Sequence, residues 1–214
     1  MLQCGIDHVV MTAPTLAAGV ESVRQALGVT PEPGGEHPRM GTHNMLLRLG
    51  EASYLEIIAV NPAAPRPDRA RWFNLDRMAA DATPRLATWV ARTNDIEAAV
   101  AALPMPVGRI ERMSRGPLEW LITIPADGGL PEDGIAPTLI QWLSEPHPAS
   151  TLQELGLSLL RLEGFHPDPE RIACMLKAVG FEGEFSVSPL AFRDQPQLIA
   201  HIRTPRGVRQ LCAA

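Results

Sequence analysis

Only three cysteines occur among the 214 residues, Cys4, Cys174 and Cys212, and no two of them stand in a Cys-x-x-Cys spacing. So small and odd a set supports neither a disulfide framework nor a thiolate zinc site, and it fits a reducing cytoplasm. No apolar run approaches the ~20 residues of a membrane span. The opening Met1-Leu2-Gln3-Cys4 lacks the basic start and apolar core of a secretory signal, so a soluble cytoplasmic chain is expected. The 19 basic residues are scattered, the formal net charge is -5 and the pI is near 5.7. That balance argues against nucleic acid or an anionic membrane as a main partner. Four tryptophans and five phenylalanines are too few and too dispersed for a base-stacking platform. Gly-x-Gly-x-x-Gly, a Walker lysine loop, His-Glu-x-x-His and Gly-x-Ser-x-Gly are all missing. No nucleotide cofactor is therefore expected, and the common hydrolase chemistries fall away.

What the chain does have is one supersecondary unit written twice, with an incomplete third copy. Gly5-Ile6-Asp7-His8-Val9-Val10-Met11 is an apolar run leading into a helix-period stretch; Leu86-Ala87-Thr88-Trp89-Val90-Ala91 repeats this, and Leu157 to Leu162 begins a third pass. After an N-cap at Thr15, Leu16, Val20, Val23 and Leu27 recur at helical spacing until Gly28. In the second unit Asn94 stands three residues before Glu97, a capping-box spacing, and Ile96, Val100 and Leu103 form the stripe up to Pro104. In the third, Asp168-Pro169-Glu170 opens a helix with Ile172, Met175, Leu176 and Val179 inward, stopped by Gly180.

Strands follow each helix. The first unit offers a short strand within 30–38, then 44–49 and 54–60 joined by a Gly50-Glu51 turn. The second offers 109–113, 118–124 and 138–143; the third offers 184–188 and 197–203, then a tail from Val208. The expected class is α+β. Two βαβββ modules, about 5–60 and 86–145, make up residues 1–150, joined by a packed linker over 61–85 that carries Trp72, Phe73 and Leu75; residues 151–214 form a partial third βαβ-type module.

Several segments carry a family likeness: Ile6-Asp7-His8-Val9-Val10, Gly41-Thr42-His43-Asn44-Met45-Leu46-Leu47, Tyr54-Leu55-Glu56-Ile57-Ile58, and Thr138-Leu139-Ile140-Gln141-Trp142 followed by His147-Pro148. In this order they resemble a glyoxalase-like domain of the vicinal oxygen chelate superfamily. The resemblance implies paired modules forming a half-barrel cleft, with divalent-metal ligands on the first and last strands of each module. Members include lyases, isomerases, ring-cleaving dioxygenases and metal-free binding proteins, so membership does not choose a reaction. Carried onto this chain, the pattern assigns His8 and Glu56 as catalytic residues and metal ligands of the first module. The same offsets lead in the second module to Trp89 and Gln141, an indole that cannot ligate and a neutral amide that ligates weakly. A zinc, iron, manganese or nickel ion would then need His43, His147 or water.

Each residue also has a plainer explanation. A lone histidine in an apolar strand is commonly a hydrogen-bonded structural group, and an acid such as Glu56 faces solvent or needs a partner. His43 and Asn44 follow a Gly-Thr turn where capping is common, and His147 and His166 precede prolines in what read as loops. Cys4 and Cys174 read as small core residues. Strand alternation sends one of Gln141 and Trp142 into the cleft, and Gln141 is the expected one. His43, Asn44, Gln141 and His147 are thus the candidate substrate-binding residues. The expected function is a small-molecule enzyme, lyase, isomerase or dioxygenase-like, acting around His8 and Glu56 with or without a metal. The alternatives are a metal-free binding or sequestering protein on the same fold, and a structural homodimer in which the partial module covers a partner's sheet edge.

Overall fold

The computed structural model describes residues 1–190 and 195–212. The first module contains β1 (Cys4–Thr12), α1 (Leu16–Leu27), β2 (Glu32–His37), β3 (Thr42–Arg48) and β4 (Tyr54–Val60). The second contains β5 (Arg85–Thr93), α2 (Ile96–Ala102), β6 (Arg109–Arg115), β7 (Leu118–Ile124) and β8 (Thr138–Trp142). A one-turn helix, α3 (Pro148–Thr151), leads to β9 (Ser158–His166), α4 (Pro169–Ala178), β10 (Phe185–Pro189), β11 (Gln197–Thr204) and β12 (Gly207–Cys212).

The two modules share one sheet, ordered β2-β3-β4-β1-β5-β8-β7-β6. Each half pairs its first and last strands in parallel, β1 with β4 and β5 with β8, and the halves meet where β1 runs antiparallel to β5. The order is therefore the same read from either edge, as a duplicated unit joined by its first strands requires. β9 to β12 form a second sheet, ordered β10-β9-β11-β12. These are the two expected βαβββ modules, followed by a third, partial unit.

Strand alternation sorts the side chains onto two faces. Val9, Met11, Ile57, Trp89 and Ala91 point to the face covered by α1, α2 and the second sheet, in one cluster with Val23, Ile96, Leu162, Ile172 and Ile202. Trp89 anchors this layer: its indole stacks on Phe185 at 5.0 Å and donates to the carbonyl of Ile135 at 2.9 Å. Val10, Ile58, Val90, Ile122 and Ile140 point to the concave face, where the linker lays down Trp72, Phe73 and Leu75.

Local signals account for most element ends. Thr15 caps α1 by accepting from the Ala18 amide, and Gly28 ends it in the left-handed conformation. Asp168 caps α4 through the Arg171 amide. In α2 the cap is Asp95, which accepts from Ala98, whereas Asn94 receives the Gln3 amide instead, so the capping-box assignment moves by one residue. The tail becomes β12, paired to β11 from Gly207 to Cys212. His166 is the buried last residue of β9 rather than a loop residue, and Cys174 is exposed on α4 while Cys4 is buried. Among the described residues no helix is long and apolar enough to cross a membrane.

Gly19 in α1 shows where packing overrides local preference. A Cβ there would stand 2.3 Å from Cγ2 of Ile57 and 3.0 Å from Cβ of Ala13. Alanine is worth about 1 kcal/mol over glycine in a helix interior, but overpacking a core costs about 1–3 kcal/mol. Gly19→Ala is expected to lower unfolding free energy in a denaturant titration, by about 1 kcal/mol net; a rise would show that the α1–β4 contact relaxes freely.

Candidate functional site

The site begins with an irregularity in β1. Ile6 pairs with Ala91 and His8 with Val90, so Asp7 is an extra residue in the β1–β5 ladder. Such a bulge suspends strict alternation and re-aims side chains. Asp7 is fully buried and His8 nearly so, and Asp7 Oδ1 accepts from His8 Nδ1 at 2.6 Å. The other oxygen, Oδ2, accepts from the Trp142 indole at 2.9 Å and from His147 Nε2 at 3.0 Å. Burial pushes the Asp7 carboxyl upward, but the hydrogen bonds from His147 and His8 outweigh it and hold the group well below the usual carboxylate range. An ionised Asp7 only accepts, so both histidines donate to it. His147 Nδ1 accepts from the Ala149 amide, which completes its neutral tautomer. His8 Nε2 is left facing Glu56 Oε2 at 3.6 Å, while its ring stacks on Tyr54 at 4.5 Å.

Across the cleft, Glu56 Oε1 accepts from the Asn44 amide at 2.5 Å, and Asn44 Oδ1 accepts from Arg115 Nη1 at 3.0 Å. His37 lies beside them, its Nε2 3.5 Å from the same Arg115 nitrogen and its ring edge-on to Trp72 and Trp120. Burial, and secondarily the Arg115 charge, push the His37 imidazole down to about 3, so it is neutral near pH 7. β2 makes room for this group. A Cβ on Gly34 would fall 2.2 Å from Asn44 Oδ1, and one on Gly35 would fall 2.8 Å from Arg115 Cδ. Together with Trp120 and Trp142 these side chains line a cavity of about 30 Å³.

The structure brings His8, Glu56 and Asn44 to one cavity and places the other candidates elsewhere. His43 neighbours Asn44 in β3, so strand alternation turns it to the opposite face, where it pairs across β2 with Glu36. Gln141 is not inward: its Oε1 accepts from the Ile96 amide at 2.9 Å, at the start of α2, and Trp142 lines the cavity in its place. His147 stands behind His8, linked through Asp7. The register also corrects the second-module counterparts. His8 pairs in parallel with Tyr54 and Val90 with Thr138, so Glu56, two residues beyond Tyr54, corresponds to Ile140. The equivalents are Val90, one residue after the expected Trp89, and Ile140, one residue before the expected Gln141, and both are buried in the apolar cluster. Asp7, His37 and Arg115 went unread. An acid inside an apolar strand is a legible signal that a partner exists, whereas Arg115 ends β6 with nothing local to mark it.

This donor set does not fit a divalent ion. His8 Nε2 and Glu56 Oε2 are two ligands where three or four are needed, and no group of three His, Cys, Asp or Glu with suitable geometry occurs among the described residues. The other polar groups of the lining are engaged or cationic: Asn44 donates to Glu56 and accepts from Arg115, His37 stands against the Arg115 guanidinium, and the indoles offer no lone pair.

A family model described as a glyoxalase-like domain matches residues 6–180. No curated protein matches the chain. Among solved structures, a hypothetical protein from Staphylococcus aureus is similar with a TM-score of 0.63 and 15% identity over 88% of this chain and 86% of that one. Weaker likenesses are a methylmalonyl-CoA epimerase from Mycobacterium tuberculosis, with a TM-score of 0.43 and 16% identity over 69% and 92% of the two chains, and a mutant 4-hydroxymandelate synthase from Streptomyces coelicolor, with 0.47 and 17% over 99% and 63%. At 15% identity the first of these likenesses speaks for the fold alone.

Asp7 gives the site a pH signature. Its folded pKa lies below the unfolded value of about 3.9, so it contributes stability that is fully present above that value and is lost as pH falls through the folded one. In Asp7→Asn the acid limb of a stability–pH curve is expected to flatten, with a loss near pH 7 of about 3 kcal/mol from the broken buried network. An unchanged acid limb in chemical denaturation would remove Asp7 from this role.

Proposed function

The chain belongs to the glyoxalase-like domain family of the vicinal oxygen chelate superfamily, and from that premise we propose that it is a small-molecule enzyme working by proton transfer at His8 and Glu56. The observation that carries this reading is the array Asp7–His8–Glu56: a buried carboxylate accepts from His8 Nδ1, so Nε2 is turned toward Glu56 inside an aromatic cleft. That is how a base is kept in one tautomer and one orientation. His8 Nε2 accepts a proton from a substrate carbon next to a carbonyl, and the electron pair moves onto the carbonyl oxygen. Return of the proton to the same or a neighbouring carbon completes an epimerase-like or isomerase-like cycle. Glu56, held through Oε1 by Asn44, stands where it can carry the proton in the return step. No metal is required for these steps.

A second reading is favoured by the apolar counterparts Val90 and Ile140, which leave all the polar side chains of the site except Arg115 in one module: the cleft binds or sequesters a ligand without turnover. The two separate on one experiment. Small 2-oxo acids, aldehydes and ketones are incubated with the protein in D₂O, and the C–H signal is followed by proton NMR. Catalysed exchange is expected, reduced by about 100-fold or more in His8→Gln and Glu56→Gln. Compounds that raise the thermal midpoint yet never exchange would support sequestration and overturn the enzymatic reading.

A further inference from the structure

Arg115 is the one residue of the site whose charge the proton-transfer scheme leaves unused. It projects from the end of β6 to the boundary between the inner cavity and an outer hollow of about 310 Å³, lined by Glu36, His37, Arg39 and Met113 among others. Of its five N–H donors, those on Nη1 meet the neutral Asn44 Oδ1 at 3.0 Å and lie 3.5 Å from His37 Nε2. Among the described residues it makes no ion pair with any carboxylate. Arg39, by contrast, pairs with Glu111 at 3.1 Å, and Arg112 is tied to Glu119. Glu36, the acid in the outer lining, is exposed and is not among its partners. A half-buried guanidinium served by one amide oxygen and a neutral imidazole is an incomplete arrangement, because desolvated charge calls for an opposite charge and a planar fork calls for a planar acceptor.

Glycines at 34 and 35 keep this fork in place. Side chains there would collide with Asn44 Oδ1 and Arg115 Cδ, so β2 is built to let the arginine cross over it. Asn44 then joins Arg115 to Glu56 through its two amide ends, which sets the distance between the cationic end of the cleft and the His8–Glu56 end.

We infer that Arg115 is the anion anchor of the site and that the ligand is a small organic monocarboxylate. Its carboxylate lies on the guanidinium at the junction of the two hollows, its adjacent carbon reaches into the inner cavity toward His8 and Glu56, and the rest of the molecule occupies the outer hollow. The size of the two spaces dictates that division: about 30 Å³ holds little more than one small group, and about 310 Å³ holds a body the size of an aromatic ring or short chain. The charge count favours one negative charge over two: Arg39 is tied to Glu111, which leaves one unpaired guanidinium, while Glu56 lies in the inner lining and Glu36 in the outer, so a phosphate dianion would be repelled. The inference rests on the proton-transfer reading only in taking this cleft as the substrate site.

The test uses the full chain and two pairs of isosteric probes, benzoate against benzamide and propionate against propionamide, titrated by calorimetry at low and high salt. In each pair the acid is expected to bind about tenfold or more tightly than the amide, and less tightly as salt rises. Arg115→Met is expected to abolish the preference and Arg115→Lys to keep part of it, with thermal unfolding of both variants as the folding control. Equal binding of acid and amide by the unmodified protein, no binding by either acid, tighter binding of inorganic phosphate, or a preference that survives in a folded Arg115→Met each overturns the anchor. The comparison on the unmodified protein holds even if neither variant folds. Carbon–hydrogen exchange with neutral ketones, without acid preference, sinks the anchor and leaves the proton-transfer reading standing. Acid preference without any exchange does the reverse.

Discussion

A carboxylate removed from water is costly unless charge-assisted donors replace its hydration shell, and Asp7 is such a group at the centre of this molecule. Its donors come from three places: His8 on its own strand, Trp142 at the end of the second module, and His147 at the start of the short helix beyond it. Satisfying one buried charge therefore ties the first strand of one module to the last strand of the other. The tie also sets the chemistry, because a ring that must give its Nδ1 proton to Asp7 presents the other nitrogen to the cleft.

Around that tie the duplicated halves have diverged in opposite directions. The first contributes His37, Asn44, Glu56 and His8 to the concave face; the second contributes Val90, Ile122, Ile140 and two indoles, with Arg115 arriving from the end of its edge strand β6. The linker fills the remaining concavity with Trp72, Phe73 and Leu75. One half supplies polarity and the other supplies shape, and the small cavity between them is the result.

Much of this was legible before any coordinates. Periods of two and 3.6 located the strands and helices, Thr15, Gly28 and Asp168 marked helix ends, and the order of short motifs indicated the family. The concave positions of His8, Glu56 and Asn44 could be expected from likeness, since they lie within one module. The failures have a common cause. A single-residue offset reverses every side chain on a strand, so matching β8 to β4 by sequence distance selected Gln141 where the ladder selects Ile140 and Trp142. The bulge at Asp7 added a further break in parity that alternation alone does not reveal. Arg115 escaped notice because its partners, Asn44 and His37, lie more than 70 positions away in the chain, and no local spacing encodes such a meeting.

The pairing of His8 with Val90 across the β1–β5 seam has a consequence for redesign of the cleft. Equivalent positions of the two repeats sit face to face, so a histidine in place of Val90 and a glutamate in place of Ile140 would complete a symmetric set of four donors around one point. Two substitutions on an unchanged backbone would thus be enough to spread the polar side chains over both halves of the concave face.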